Sequence, residues 1–339
     1  MKPTDFSKLL TEYLTSYLPS LKNVSKNTIS SYCDTFRLLL KYCRDVHKLS
    51  IEKISMKDIN ADLVSQFIMW LEEERHCGIS TRNQRLMAIR SFFRYVQGEQ
   101  PQNLLNCQKV LNIPPKKRSQ PVVTYLTVEE LKLLLAQPNT STPEGRRDLA
   151  LLCILYDTGG RVQEIADLTV RNIRLDNPAK VHLTGKGRKS REVPLLPKTV
   201  QLLERYMIEH RLLASEKQDH PLFCNRHNSK LTRSGISYIL NKYAELASSQ
   251  SLTFPESISP HVLRHTKAMH LLQAGVNIIY IRDILGHASV DTTQIYASAN
   301  TQMKRAALEK LGDSPAPEFP SWVKNTDLLT WLKDFSKGK

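Results

Sequence analysis

Apolar residues recur at helical spacing through the first hundred positions of the chain. After Ser25, which is suited to cap a helix, they follow one another at intervals of three and four residues up to Val46, as on a helix that buries one face. A further helix is predicted over residues 80–96. Its inward positions are Leu86, Ile89, Phe93 and Val96. This part of the chain is therefore predicted to be all helical.

The periodicity stops over residues 113–124, where proline and basic residues are frequent, as in linkers. Beyond this segment, residues 127–130 read as a capping box, and residues 149–156 are an apolar stretch that is too short to cross a bilayer. Residues 181–194 predict two short strands around a basic turn flanked by glycine. The second part is thus predicted to be helical with a small antiparallel β-sheet.

A chain of 339 residues exceeds the usual size of one core. We expect a helical domain over residues 1–112, a linker over 113–124, a mixed domain over 125–300 and a helical tail over 301–339. The tail has helical spacing over residues 303–312 and a proline-rich hinge over 314–317. Its later apolar side chains are Trp322, Leu328, Leu329, Trp331, Leu332 and Phe335. They cannot form a core alone, so they must pack on their own domain or on a neighbouring protomer.

The charge balance indicates a nucleic-acid partner. Lysine and arginine number 48 against 33 acidic residues, giving a net charge of +15 and a pI of about 9.5. Within the predicted helix 80–96, Arg82, Arg85, Arg90 and Arg94 have no acidic residue to balance them, which favours DNA contact over a solvated face. The other predicted DNA contacts are Lys116, Lys117, Arg188, Lys189 and Arg191.

Tyr296 ends a series of polar residues that are suited to chemistry on a phosphodiester. A phenol with a pKa of about 10 needs a base or a cationic field before it becomes a nucleophile. Arg161 and Arg264 have planar guanidinium groups that can each bind two phosphate oxygens. His261 and His287 can donate to the same oxygens or accept the phenolic proton. These residues therefore predict a site that attacks DNA strands.

Lys186, in the predicted hairpin turn, is placed to protonate a leaving oxygen. Arg188, Lys189 and Arg191 crowd the same hairpin and are alternatives for this role. Arg161 also has a plainer interpretation, as a surface salt-bridge partner of Glu164, although we expect Glu164 to position the local structure.

A metal site is not predicted. His261 and His265 are four residues apart, but Val262 stands where the zinc-protease pattern needs glutamate. His265 and His270 are expected to be core groups, and the six cysteines form no C-x-x-C pair, as expected of reduced thiols. The N-terminus lacks the apolar stretch of a signal peptide. We therefore expect a cytoplasmic protein with no cofactor and no membrane partner.

The order of these motifs resembles the tyrosine recombinase (phage integrase) family. The matching positions are Arg161 in T-G-x-R with its carboxylate Glu164, Lys186 in the G-K-G turn, His261 and Arg264 in H-x-x-R, His287, and the nucleophile Tyr296. All six catalytic positions of the family are filled. Lys267 departs from the family pattern, because many members carry an aromatic or aliphatic residue there.

The resemblance implies a helical core-binding domain that grips DNA opposite an α+β catalytic domain. It implies cleavage through a 3′-phosphotyrosine without ATP or metal, and a homo-tetramer that joins two double-stranded DNA sites with inverted repeats, associated with the nucleoid. The C-terminal extension favours an integrase or transposase of a mobile element over a chromosome-dimer resolvase. A type IB topoisomerase and a non-catalytic DNA-binding regulator stay open as alternatives.

Overall fold

The chain forms two compact units in a computed structural model, Met1–Pro121 and Val122–Lys339. The structure describes residues 3–117, 123–185, 187, 189–255, 257–287, 293 and 328–337. The predicted features outside these residues include Lys186, Arg188, Tyr296, the helix over 303–312, the hinge over 314–317 and Trp322.

The first unit is a bundle of helices around an aromatic core. Its helices are α1 (Asp5–Glu12), continued by a π-helical segment (Tyr13–Leu21), α2 (Lys26–Asp45), α3 (Ala61–Glu73), α4 (Ile79–Glu99) and α5 (Leu104–Leu111), with 3₁₀ turns at Ile51–Lys53 and Pro101–Asn103. The Ser25 hydroxyl caps α2 by accepting the Thr28 N–H. Among the largest fully buried side chains are Tyr13, Phe36, Phe67, Phe92 and Phe93. The prediction of a helical first part is confirmed.

The second unit combines helices with one small sheet. Its elements are α6 (Val128–Leu135), α7 (Pro143–Thr158), α8 (Val162–Ala166), β1 (Ile173–Arg174), β2 (Lys180–Thr184), β3 (Ser190–Pro194), α9 (Pro197–Glu209), α10 (Arg233–Ser248), α11 (Pro260–Gln273), α12 (Ile278–Leu285) and a C-terminal helix (Leu328–Ser336), with 3₁₀ turns at Val170–Asn172 and Ser215–Lys217. The strands pair antiparallel in the order β1-β2-β3. The predicted fold class, mainly helical with a small antiparallel sheet, is confirmed.

Helix α7 is the centre of this unit. The apolar stretch at residues 149–156 lies within it, and the helix packs against α9 and α11. The sheet adds Val181, Leu183 and Val193 to the same core, because alternate residues of a strand face one side. Thr127 and Glu130 form the predicted capping box at the start of α6. Within the described part of the chain, no helix is long and apolar enough to span a membrane.

The chain enters this unit in close contact with α11. The Leu126 N–H donates to Thr266 Oγ1 at 3.0 Å, and His270 Nε2 donates to the Leu126 carbonyl at 3.0 Å. The other ring nitrogen of His270 can then accept from the Tyr156 hydroxyl, 2.9 Å away. His270 is therefore a hydrogen-bonded structural residue, as the sequence predicts.

Candidate active site

Arg161 is presented by a sharp turn between two helices. Helix α7 ends at Gly159, whose φ of 54° is left-handed and favours glycine, and Arg161 is the extended residue before α8. A Cβ on Gly159 would lie 2.5 Å from Leu285, so the turn packs directly on α12. The T-G-G-R sequence thus ends one helix, starts the next and holds Arg161 between them.

A buried carboxylate fixes the Arg161 side chain. Glu164, 4% exposed, accepts the Arg161 backbone N–H at 2.9 Å and its Nη1 at 2.8 Å. The Arg161 Nη2 donates to the Gly286 carbonyl at 3.1 Å. Burial alone would raise the pKa of Glu164, but hydrogen bonds from Arg191 and Arg161 outweigh it and lower this pKa to about 2. Glu164 is therefore ionised at neutral pH and orients Arg161.

Helix α11 contributes His261 and Arg264. Arg264 is 4% exposed, and its Nη1 donates to the Gly159 carbonyl at 2.7 Å, which joins the two arginine-bearing segments. His261 is exposed in the first turn of α11. Desolvation of its ring and the nearby guanidinium groups of Arg264 and Arg161 lower its pKa. A neutral imidazole next to two arginines can accept a proton.

His287 follows α12 directly. Gly286 ends this helix with a left-handed φ of 66°, and the His287 N–H donates to the Arg282 carbonyl at 3.1 Å. Burial, followed by the charges of Arg264 and Arg161, lowers the pKa of His287 to about 4. Its Nδ1 lies 2.8 Å from the hydroxyl of the buried Thr293. At neutral pH this ring is therefore uncharged and hydrogen-bonded.

One cleft of about 730 Å³ brings together Arg161, Lys189, Arg191 and His287. Lys186, Arg188 and Tyr296 lie outside the described residues. The turn that carries Lys186 is closed by the Gly185 N–H, which donates to the Lys189 carbonyl at 2.8 Å. Thr293 stands three positions before Tyr296 in the sequence. Gly185 and Lys189, which flank Lys186 in the sequence, line this cleft, and Thr293, near Tyr296 in the sequence, is hydrogen-bonded to His287 of the cleft.

The basic residues of the hairpin differ in their exposure. Lys189 is exposed at the cleft. Arg191 is turned inward, with a side chain only 11% exposed, and its Nη2 donates to Glu164 Oε2 at 2.8 Å. The buried carboxylate of Glu164 holds the Arg191 side chain mostly inside the protein, and this placement does not favour the predicted contact of Arg191 with DNA.

The predicted DNA contacts of the first unit also differ in their exposure. Arg82 is only 7% exposed: its Nη1 donates to Asn83 Oδ1 at 3.0 Å, and its Nε is 3.8 Å from Glu72 on α3. The expectation that Arg82 lies on the exposed polar face of α4 is wrong. The sequence of one helix does not reveal an acidic partner on another helix. Arg94 is exposed, whereas Arg85 and Arg90 are partly buried.

The two lysines at the start of the predicted linker are exposed. Lys116 also forms an ion pair of 2.8 Å with Glu72. The Lys116 carbonyl accepts from Asn83 at 2.9 Å. This end of the segment therefore lies against the first unit. DNA contact by Lys116 and Lys117 stays a prediction.

A second cleft, of about 660 Å³, adjoins His261 and was not anticipated from the sequence. Helix α10 lines it with Arg233, Ser237, Tyr238 and Asn241. Arg233, Ser237 and Asn241 are each four residues, or about one helical turn, apart. All four side chains carry hydrogen-bonding groups, and Tyr238 is 72% exposed. That polar stripe following the Thr232 cap is the signal that could have identified them.

Lys267, the departure from the family pattern, packs beside the site rather than in it. Its Nζ lies 4.8 Å from the centre of the Tyr156 ring, a cation–π contact. Burial lowers the pKa of Lys267, against the opposing charge of Asp157. Among the described residues, no group of three His, Cys, Asp or Glu side chains is placed to hold a metal ion.

Comparisons with known proteins extend over most of the chain. The profile of the phage integrase family matches residues 124–303, and that of the phage integrase N-terminal SAM-like domain matches residues 10–100. An integrase/recombinase of Sinorhizobium fredii is 38% identical over 311 residues, covering 91% of this chain and 92% of the relative. The tyrosine recombinase XerC of Bacillus subtilis is 32% identical over 309 residues, covering 89% and 94%.

Two solved structures share the fold. The Tn1549 transposon integrase in complex with transposon right end DNA superposes with a TM-score of 0.68 at 18% identity, covering 88% of this chain and 98% of that one. The XerH site-specific recombinase bound to its difH substrate superposes with a TM-score of 0.65 at 24% identity, covering 88% and 84%. At these identities the likeness concerns the fold.

Proposed function

Since the chain belongs to the phage integrase family and is a site-specific tyrosine recombinase, we propose that Tyr296 is its nucleophile and that Arg161, Lys186, His261, Arg264 and His287 complete the catalytic set. The protein then cleaves and rejoins DNA strands as the integrase or transposase of a mobile element.

One observation carries this proposal: protein groups hold the guanidinium groups of the two predicted phosphate-binding arginines by hydrogen bonds. Arg161 is held by Glu164 and by the Gly286 carbonyl, and Arg264 is held by the Gly159 carbonyl. Guanidinium groups that are oriented in advance need little reorganisation when charge develops on a phosphate in the transition state. Such an arrangement is more useful for stabilising a transition state than for ordinary surface binding.

The reaction follows from the proposed roles. The Tyr296 oxygen attacks the phosphorus and loses its proton to a neutral imidazole of His261 or His287. The bond from phosphorus to the 5′ oxygen breaks, and Lys186 protonates that oxygen. The products are a 3′-phosphotyrosine and a free 5′ hydroxyl. A 5′ hydroxyl from the partner strand then attacks the phosphotyrosine, and Tyr296 leaves with its proton restored. Each step exchanges one ester bond for another, so no ATP is needed.

The proposed partner is double-stranded DNA with inverted-repeat sites, bound by both units. The net charge of +15 supports contact with the phosphate backbone. In the first unit, Arg85, Arg90, Arg94, Lys116 and Lys117 are the proposed contacts. In the second unit, they are Arg188, Lys189 and the α10 stripe beside His261. We place this activity at the nucleoid in the cytoplasm, where such sites would be found.

Assembly into a tetramer is also part of the proposal. The C-terminal helix Leu328–Ser336 has no buried residue, and its side chains Leu328, Leu329, Leu332 and Phe335 are each about half exposed or more. A small helix of this kind gains stability by burying its apolar face against another surface. Docking on a neighbouring protomer would connect Tyr296 chemistry with assembly.

The test is trapping of the covalent intermediate. A DNA substrate nicked close to the cleavage position loses a short fragment after cleavage, so the phosphotyrosine cannot be reversed. We expect the intact protein to form a covalent adduct and Tyr296→Phe to form none while binding the same duplex. Tyr280→Phe, an exposed phenol on α12, is the matched control and should form the adduct. Persistent adduct with Tyr296→Phe would identify another nucleophile and overturn the proposal.

A further inference from the structure

Arg191 connects three segments of the catalytic unit. It lies on strand β3, and its Nε donates to the Ile284 carbonyl near the end of α12 at 2.8 Å. Its Nη2 donates to Glu164 Oε2 on α8 at 2.8 Å. Because the guanidinium group is planar and rigid, these two bonds fix the distance between the two acceptors. One side chain therefore fastens the hairpin that carries Lys186 to both neighbouring helices.

The carboxylate that Arg191 binds is the one that orients Arg161. Glu164 uses Oε1 for the Arg161 Nη1, and it shares Oε2 between the Arg161 N–H and Arg191. Removing Arg191 would take away one of the two donors to Oε2 and leave the Glu164 carboxylate bound to Arg161, so that the pair could shift together. The Arg161 guanidinium would move with it, because their hydrogen bond is direct.

Arg191 also contacts the backbone that precedes His287. A Cβ on Gly286 would lie 2.7 Å from Arg191 Nη1, so the guanidinium is packed against this residue. The Gly286 carbonyl is the second acceptor of Arg161, at 3.1 Å. Both acceptors of the Arg161 side chain are thus within direct reach of Arg191, and His287 is the next residue along the chain.

We propose that Arg191 is a positioning residue for DNA cleavage, which holds Glu164 and the Gly286 backbone so that Arg161 and His287 face the scissile phosphate. It acts through these groups and makes no contact with the phosphate itself. This inference rests on the proposed function of the site. It assigns Arg191 a role different from that of Lys189, its exposed neighbour on the same hairpin.

The test compares Arg191→Met with Lys189→Met in the full-length protein. Single-turnover cleavage is measured at saturating DNA, and affinity is measured across a range of salt concentrations. A phosphate contact contributes roughly one unit to the slope of log K against log salt. We expect Arg191→Met to keep the wild-type slope and to cleave roughly 10²-fold more slowly, the loss expected for a misplacement of about 1 Å. Lys189→Met should lower the slope by roughly one unit.

Three further measurements separate positioning from general loss of structure. In a double-mutant cycle with Glu164→Gln, Arg191→Met should add little to the loss, because both changes release Arg161. On a substrate with a neutral methylphosphonate at the cleavage position, the defect should shrink, because less charge has to be stabilised. Arg191→Lys keeps the charge but cannot span both acceptors, so it should recover only part of the rate and also serves if Arg191→Met folds poorly.

The outcomes are distinct. A lower salt slope for Arg191→Met with unchanged cleavage at saturation would make Arg191 a DNA contact and overturn the inference. A loss that is equal on both substrates and additive with Glu164→Gln would show a merely structural role and also overturn it. Failure of the wild-type protein to form an adduct through Tyr296 would instead defeat the proposed function, independently of the comparison between Arg191→Met and wild type.

Discussion

Glu164→Gln tests how much the buried carboxylate contributes to the catalytic unit. The substitution keeps the size of the side chain but removes its charge and turns one acceptor into a donor. Arg161 and Arg191 both donate to this carboxylate, at 2.8 Å each, so at least one of these bonds becomes a contact between two donors. Because Glu164 is only 4% exposed, water cannot replace the lost partner. We therefore expect a large loss of stability.

The pKa of Glu164 gives the magnitude. Its decrease from 4.5 to about 2 corresponds to about 3 kcal/mol at neutral pH. Breaking a buried ion pair by removing one partner costs about 3–5 kcal/mol, which is consistent. Since the folded state has the lower pKa, this stabilisation is complete above pH 4.5 and is lost as the pH falls toward 2. At about pH 3.5 it should be smaller by about 1 kcal/mol.

Differential scanning calorimetry of the full chain measures this effect on the transition of the catalytic unit. A loss of about 3 kcal/mol lowers the Tm of a unit of this size by about 6–12 °C. Glu192→Gln is the matched control, because Glu192 is a half-exposed glutamate on β3 that pairs with Lys180 at the surface. Its Tm should change by only about 1–3 °C. If the Tm of Glu164→Gln falls no further than that of Glu192→Gln at neutral pH, the two-arginine arrangement does not stabilise the fold as argued.

Three other outcomes are expected. Cleavage should proceed equally well in EDTA, because Arg161 and Arg264 supply the positive charge, and activity that needs added divalent ions would contradict this. Lys186→Ala should slow cleavage by roughly 10²–10⁴-fold, and a substrate with a 5′-bridging sulfur, which leaves without a proton, should restore the rate; an equally slow reaction would point to a binding role. Deleting residues 313–339 should leave binding to a single site intact but reduce synapsis of paired sites, whereas normal synapsis would exclude docking on a neighbouring protomer.

The sequence predicted the local elements well because their signals are local. Ser25 and the capping box at Thr127 and Glu130 lie within one turn of the helices that they start. The hairpin around Lys186 was readable from its glycines and alternating residues, and its strands were found at Lys180–Thr184 and Ser190–Pro194. The spacing of Arg161 and Glu164 likewise predicted a local contact, which the structure has.

Contacts between distant segments could not be predicted in this way. Arg82 and Arg191 were both predicted as DNA contacts, and charged side chains are usually exposed. Each is instead drawn inward by a glutamate on another element, Glu72 and Glu164 respectively. The contact between His287 and Thr293 was missed because a threonine within a catalytic motif has no distinctive pattern. A single sequence gives the number of charged residues, but it does not show which oppositely charged side chains will lie next to them in the fold.

Leu126, near the start of the second unit, is attached firmly enough to transmit force from the preceding segment. Both polar groups of this residue are bound by side chains of α11, at Thr266 and His270. The same helix carries His261 and Arg264 in its first two turns. Tension along the preceding segment would therefore be transmitted to α11 directly, through these two hydrogen bonds. Helix α11 is therefore the element to which the preceding segment is attached, and it also carries two of the proposed catalytic residues.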